Sequence, residues 1–192
     1  MLIGMAADNS LPKDLFPEVA ELIYNNPDLA VRIQAAAYFK KPGAAKTFSI
    51  KSIAALKSDA RSGQALFATH CSSCHRVQGN GPDVGPDLTL IQKKFDSEGL
   101  LDAMVNPNAG VMLGYEPWLV TTISGETYFG FLVAEGAKAI VIKDLTGKKT
   151  SVATASIVSK KKQNGSIMPE PSTLNLSEQN LADLAEYLMG LR

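Results

Sequence analysis

The residues with the most distinctive chemistry in this chain are two cysteines, Cys71 and Cys74, which are separated by two serines and followed directly by His75. The C-x-x-C-H pattern is typical of covalent haem attachment, in which the two thiols bond the porphyrin vinyl groups and the adjacent imidazole binds the iron. The pattern therefore predicts one covalently bound haem c, attached through Cys71 and Cys74, with His75 as an iron ligand.

Two other chemistries also use paired cysteines. A structural zinc site needs four protein ligands, usually as two Cys/His pairs, but these are the only cysteines and the one other histidine, His70, directly precedes Cys71. A thioredoxin-like redox pair is expected in a βαβ context, whereas the residues before Cys71 have a helical pattern and those after His75 are rich in Gly and Pro. A disulfide and a redox thiol pair are the alternatives to haem.

The composition is that of an ordinary globular protein, with 45% hydrophobic residues in a chain of 192. Lys+Arg and Asp+Glu balance at 19 each, so no net charge favours nucleic acid as a partner. No apolar run approaches the roughly 20 residues of a membrane-spanning helix, so we expect no transmembrane segment. Residues 1–7 are too short for a secretory signal and lack its basic start.

Two amphipathic helices are predicted between residues 11 and 41, with a turn at Asn26-Pro27-Asp28 and an end at Lys41-Pro42-Gly43. Their apolar stripes are Leu15, Val19 and Leu22, then Leu29, Ile33, Ala36 and Ala37. We expect a helical hairpin, which is either one HEAT-like unit or a simple helical extension. No conformation is predicted for the connector that runs to residue 57.

Three further helices should surround the C-x-x-C-H motif. The first runs from residue 58 or 59 to residue 70 and places Gly63 and Phe67 on one face. The second is Ser97–Val105. The third begins after Ser177, a plausible N-cap, with Leu176 and Leu181 as a hydrophobic staple. Its apolar stripe is Leu181, Leu184, Ala185 and Leu188, with Tyr187 beside it.

The middle of the chain has the short, β-branched and aromatic segments of strands, at residues 118–124, 127–134, 139–143 and 150–154. They predict a four- or five-stranded antiparallel sheet or small barrel, inserted at about residues 116–160. The fold class is therefore mainly α with a β insert (α+β). The aromatic residues of the insert, which should face either the haem or the core of the sheet, are Trp118, Tyr128, Phe129 and Phe131. Its lysines should form one basic patch of Lys148, Lys149 and Lys160 to Lys162.

Several motifs together resemble those of the small mono-haem cytochromes c. They are Gly63-Gln64-Ala65-Leu66-Phe67, Cys71-x-x-Cys74-His75, Gly85-Pro86-Asp87-Leu88, Ser166-Ile167-Met168-Pro169 and Asp183-Leu184-Ala185-Glu186-Tyr187-Leu188. The resemblance implies that the first and last helices of this domain cross at Gly63, Phe67 and Tyr187. It also implies that the carbonyl of Pro86 accepts a hydrogen bond from the second ring nitrogen of His75.

The second axial ligand is assigned to Met168, which lies in a Gly/Ser/Pro-flanked loop just before the last helix, where the cytochrome pattern places it. Met112, in the loop between Gly110 and Gly114, is its competitor. Removing the 160 − 116 + 1 = 45 residues of the insert reduces the separation of His75 and Met168 from 168 − 75 = 93 positions to 48, an ordinary spacing for a small cytochrome.

From about residue 59 onward the chain is similar to the haem-binding, cytochrome c-like domain at the C-terminus of large exported bacterial proteins. Shared motifs include Cys74-His75-Arg76-Val77-x-Gly79-x-Gly81, Val84-Gly85-Pro86-Asp87-Leu88-Thr89, Asn106-Pro107 and Gly114-Tyr115-Glu116. The resemblance implies a periplasmic or otherwise exported location, with the natural signal or upstream region outside this chain. We therefore expect an N-terminal helical extension and linker at residues 1–57 and a cytochrome c-like domain at residues 58–192.

The function that these features favour is one-electron transfer by a single haem c with His/Met ligation, serving a redox partner protein or a fused dehydrogenase domain. The alternative is a haem-based sensor in which Met168 leaves and a small ligand takes its place. An enzyme with peroxidase-like activity is disfavoured, because the sequence has no further histidine to act as a distal base.

Overall fold

The computed structural model describes residues 2–7, 10–27, 29–35, 38–39, 42 and 47–191. Within them lie the helices α1 Leu2–Ala7, α2 Phe16–Tyr24, α3 Leu29–Ala35, α4 Ile50–Ala54, α5 Ala60–His70, α6 Ser97–Val105 and α7 Glu178–Met189. The strands are β1 Pro117–Thr122, β2 Thr127–Glu135, β3 Ala139–Lys143, β4 Lys149–Ala153 and β5 Ile157–Lys162. This helical fold with an inserted antiparallel sheet confirms the predicted α+β class.

Helices α5 and α7 form the centre of the helical part, and each begins at a strong cap. Asp59 accepts hydrogen bonds from the first backbone N–H groups of α5, and Ser177 forms a capping box with Asn180 at the start of α7. The two helices cross at Gly63, where an added Cβ would lie 1.9 Å from the carbonyl oxygen of Asp183. The predicted crossing is confirmed.

Aromatic packing completes this crossing. The rings of Phe67 and Tyr187 lie 5.6 Å apart between centroids. Phe67 belongs to the same buried cluster as Leu101 of α6 and as Leu181 and Leu184 of α7. One hydrophobic core therefore holds α5, α6 and α7 together, and it supports the end of α5 at which the C-x-x-C-H motif begins.

Helix α4 lies in the connector for which the sequence predicted no conformation. Ser49 caps it by accepting from the backbone N–H of Ser52, and Ile53 is fully buried in the cluster that contains Phe67. This part of the connector therefore packs on the helical core through Ile53, with Phe48 and Ile50 against the same cluster. The division of the chain at residue 57 stays a prediction.

The five strands form one antiparallel sheet with the order β4-β3-β2-β1-β5. The sheet spans residues 117–162, close to the predicted insert. Its own core contains Val120, Ile140, Ile142 and Val152. Strand β5, which was not among the four predicted strands, pairs with β1.

The N-terminal helices pack around a second small core, which takes in only part of the predicted stripe. Val19 is buried as predicted, whereas Leu15 lies before α2 and Leu22 is 65% exposed. Ala20 and Ile23 are buried together with Val19. The buried face of α2 therefore passes through Val19 and Ile23 rather than through Leu15 and Leu22. Of the second predicted stripe, Ala36 and Ala37 lie outside the described residues, as do Asp28, Lys41 and Gly43 of the predicted turn and helix end.

Helix α1 was not predicted, and its Ala6 joins the same N-terminal core. Among the helices that the structure describes, none is long and apolar enough to cross a membrane.

Candidate haem-attachment site

The C-terminus of α5 positions the two cysteines. Cys71 is the C-cap residue of that helix, and its carbonyl oxygen accepts hydrogen bonds from the N–H groups of Cys74 at 3.0 Å and His75 at 2.9 Å. This single turn brings both thiols and the imidazole to one end of the helix. Both cysteines are free thiols and half-buried.

The electrostatics of Cys71 do not suit a redox-active thiol pair. Burial, together with the neighbouring Cys74, raises the pKa of the Cys71 thiol to about 11. Reactive C-x-x-C motifs work by the opposite shift, a lowered pKa that yields the nucleophilic thiolate at neutral pH. The two half-buried thiols instead suit covalent bonding to a prosthetic group that lies beside them.

His75 is held in one ring orientation by the loop of residues 83–86. Its Nδ1 lies 2.8 Å from the carbonyl oxygen of Pro86, which can only accept, so Nδ1 carries the proton and donates. Burial lowers the pKa of His75 despite that hydrogen bond, which acts in the opposite direction. The imidazole is therefore neutral at pH 7, with its basic nitrogen at Nε2.

Gly85 lets the loop approach the ring. An added Cβ on this residue would lie 2.8 Å from Cε1 and 2.9 Å from Nδ1 of His75. The Gly85 N–H also donates to the carbonyl oxygen of Cys74 at 2.7 Å. The loop therefore contacts both the ring of His75 and the backbone of the residue before it.

Met168 lies in the loop between β5 and α7, and 36% of its surface is exposed. Its N–H donates to the hydroxyl of Ser166, whose own N–H donates to the side-chain oxygen of Asn108 at 2.7 Å. The neighbouring Ile167 is buried in a cluster that includes Cys74. The loop is thus anchored close to the attachment motif.

Three of the other methionines lie in the part of the chain that follows the attachment motif. Met104 is buried in the helical core and Met189 packs against it. Met112 is 44% exposed, and its carbonyl oxygen accepts from the N–H of Tyr115. His75/Met168 ligation stays a prediction, as do the haem-binding roles of Cys71, Cys74 and Pro86.

The inserted sheet contacts the attachment region through one of its faces. Side chains alternate between the two faces of a strand, and β2 follows this rule. Tyr128 packs with Trp118 in the core of the sheet, whereas Phe129 and Phe131 join the cluster that contains Cys74. Trp118 and Tyr128 therefore fill the core of the sheet, as one alternative held, whereas Phe129 and Phe131 lie on the side of Cys74. That these two rings face the haem stays a prediction.

The lysines of the predicted basic patch lie on two strands. Lys148 and Lys149 lie just before and at the start of β4, and Lys160 to Lys162 end β5, at the other edge of the sheet order. Lys160 pairs with Glu135, and Lys162 with Glu116 at 3.1 Å. Two of the five lysines are therefore paired with carboxylates, and the single patch stays a prediction.

Sequence reasoning also missed Lys143, which is buried beside Asp83. The only available signal was that this lysine ends an apolar strand of sequence AIVIK, a place where lysine is normally solvated.

The residues present fit a covalently attached haem. Two free thiols lie at one helix end, and the adjacent neutral imidazole has one nitrogen fixed by a backbone carbonyl. Such a hydrogen bond sets the tautomer and orientation of a metal-binding histidine. The thioether of Met168 would be the second ligand, on a loop whose Ile167 packs in the cluster of Cys74.

Comparison with known proteins finds a similarity to cytochromes c in this region. The sequence profile of the family described as cytochrome c matches residues 60–118, from α5 to the start of β1. A cytochrome c-553-like protein of Synechocystis sp. (strain ATCC 27184 / PCC 6803 / Kazusa) is 29% identical over 68 residues, which is 35% of this chain. The match spans 64% of that relative, a little less than two thirds of its length.

Proposed function

We propose that this chain is a c-type electron carrier that uses His75 and Met168 as its axial iron ligands. The proposal starts from the match of residues 60–118 to cytochrome c, a family whose cofactor is covalently bound haem c. Cys71 and Cys74 would attach the porphyrin, and Pro86 would hold the imidazole. When bound, the haem supplies the one-electron chemistry, and the protein supplies attachment, orientation and a dry pocket.

The observation that carries the proposal is the hydrogen bond from Nδ1 of His75 to the carbonyl oxygen of Pro86. It leaves Nε2 as the unprotonated nitrogen of a neutral ring. The orientation of the His75 ring is further restricted by Gly85, which allows the backbone to lie against the ring. A histidine prepared in this way needs no proton loss and little reorientation to bind iron.

Met168 is favoured over Met112 by the anchoring of its loop. The two residues before Met168 tie the loop down: the N–H of Ser166 donates to Asn108, and Ile167 is buried near Cys74. A thioether ligand opposite a histidine is the arrangement of electron-transfer haems, in which it raises the reduction potential. An electron carrier with this ligation needs no catalytic side chains.

The partner that we propose is a dehydrogenase, either fused to this chain in its natural context or free in the periplasm, from which the haem accepts electrons one at a time. The resemblance of residues 59–192 to C-terminal haem domains of exported bacterial proteins supports this assignment. So does covalent attachment through C-x-x-C-H, which in that family takes place outside the bacterial cytoplasm.

The test is the visible spectrum of the chain after export together with the haem-maturation machinery. We expect a c-type spectrum with the ferric thioether charge-transfer band in the wild type and in Met112→Ala, and loss of that band in Met168→Ala. Loss in Met112→Ala alone would assign the ligand to Met112. Absence of the band from the wild type, with a sixth site that opens on reduction and binds carbon monoxide, would favour the sensor.

A further inference from the structure

Lys143 is a buried charge that the proposed function does not use. It ends β3, is 6% exposed, and its Nζ lies 3.3 Å from a carboxylate oxygen of Asp83. The ammonium also lies 5.7 Å and 5.9 Å from the ring centroids of Phe131 and Tyr115. Burial of an ammonium is unfavourable unless charge and ring contacts compensate it. Here both kinds of contact are present, and the ion pair with Asp83 joins the inserted sheet to the haem-attachment region.

The register of the sheet explains this position. Phe131 and Lys143 are paired residues of β2 and β3, so their side chains share the face that borders the cluster of Cys74. On its other side Lys143 pairs with Lys149 of β4, and Lys149 is exposed. Two lysines on one face thus differ mainly in burial, which makes Lys149 a matched control.

Asp83 begins the short loop that holds His75, and each following residue makes a distinct contact. Val84 is 2% exposed and packs in a cluster with Phe131. Gly85 donates to Cys74 and lies against the imidazole, and Pro86 accepts from Nδ1 of His75. A continuous set of contacts therefore runs from Lys143 to the imidazole through four consecutive residues.

We propose that Lys143 is a positioning residue for the haem ligand His75, acting through Asp83 and the loop of residues 83–86. The inserted sheet is thereby a brace for the histidine side of the haem. This inference rests on the proposed function in that it takes His75 as the iron ligand. Asp83 is 59% exposed, so the pair acts mainly by fixing geometry, since a partly solvated ion pair is weakly stabilising by itself.

The brace has a redox consequence. A firm hydrogen bond at Nδ1 makes the imidazole a stronger donor to iron and favours the ferric state, so a loosened loop raises the reduction potential. The charges themselves also act on the reduction potential: removal of the Lys143 cation lowers it, and removal of the Asp83 anion raises it. The double substitution Lys143→Met with Asp83→Asn changes no net charge and isolates the positioning effect.

The experiment compares Lys143→Met, Asp83→Asn, the double variant, Lys143→Arg and the control Lys149→Met. One measurement is hydrogen exchange of the Gly85 amide, in the chain with and without haem, and the other is the midpoint potential of the haem-loaded chain. In Lys143→Met and the double variant we expect Gly85 exchange at least about tenfold faster than in the wild type. In the double variant we also expect a raised potential. Lys149→Met and Lys143→Arg should stay close to the wild type.

Wild-type Gly85 exchange and potential in the double variant would overturn the proposal, as would an equal effect of Lys149→Met. If Lys143→Met does not fold, Asp83→Asn decides alone, because Asp83 is mostly exposed: unchanged Gly85 exchange there would overturn the proposal. If the wild type takes up no covalent haem, the proposed function fails, and Gly85 exchange in the haem-free chain still decides whether Lys143 braces the loop.

Discussion

Substitution of Gly63 by alanine should separate the two helices on which the haem-attachment motif depends. A Cβ at this position would lie 1.9 Å from the carbonyl oxygen of Asp183, about 1.5 Å inside the 3.4 Å at which ordinary contact begins, and 2.8 Å from Cβ of Tyr187. The atoms met are backbone and Cβ atoms of α7, which no side-chain rotation can move. The helices must therefore shift apart, which also disturbs the contact of Phe67 with Tyr187.

The magnitude follows from two opposing effects. Overpacking of a tight core typically destabilises by about 1–3 kcal/mol, and a backbone contact justifies the upper end. Alanine is a better helix former than glycine by about 1 kcal/mol. We therefore expect Gly63→Ala to lose about 2 kcal/mol of unfolding free energy, a fall in Tm of about 4–8 °C for a chain of this size.

Urea unfolding of the haem-loaded protein, followed by far-ultraviolet circular dichroism, measures this loss. The matched control is Gly4→Ala, since Gly4 is also helical but has open space where its Cβ would be. It should leave the midpoint unchanged or raise it slightly. If Gly63→Ala proved as stable as the wild type or as Gly4→Ala, the reasoning about the helix crossing would be refuted.

Three further substitutions test other contacts of the site. Asp183→Ala removes a buried carboxylate that accepts from the backbone N–H of Asp59 and from Gln179; it should reduce the unfolding free energy by about 1–3 kcal/mol, and an unchanged urea midpoint would contradict this. Gly85→Ala would place a methyl group against His75, so we expect a weakened or high-spin ferric spectrum, whereas a wild-type spectrum would show that the ring tolerates displacement of the loop. Asn108→Ala removes the acceptor of the Ser166 N–H and should weaken the thioether charge-transfer band of the ferric protein; full retention of that band would count against anchoring of the Met168 loop.

The helices that the sequence located well are those with local start signals and a long apolar stripe. Helix α6 has the predicted limits, and α5 and α7 begin directly after Asp59 and Ser177, whose side chains cap them. Helices α1 and α4 have only 6 and 5 residues, too few for a periodic pattern. Their helical state depends on packing of residues such as Ile53.

Strand β5 was missed for another reason. Its second half is Lys160 to Lys162, which is indistinguishable in sequence from a solvated charge run. Pairing with β1 at the edge of the sheet gives these lysines an extended backbone, and lysine is common on such edges because it discourages association.

The candidate site likewise has residues that the sequence predicts and contacts that it does not. Cys71, Cys74 and His75 are contiguous, so a local pattern indicates their chemistry without any knowledge of the fold. Lys143 reaches Asp83 only because the register of β2 and β3 turns it toward the attachment region. No local pattern records such a long-range pairing, so contacts of this kind could not be predicted from the sequence.

The most direct test of the account is the intact mass of the exported, matured chain under denaturing conditions. We predict the mass of the polypeptide plus one haem, retained after unfolding, and the mass of the polypeptide alone after substitution of both Cys71 and Cys74 by alanine. A wild-type chain that releases all its haem on denaturation, or that never carries any, would contradict the assignment as a c-type electron carrier.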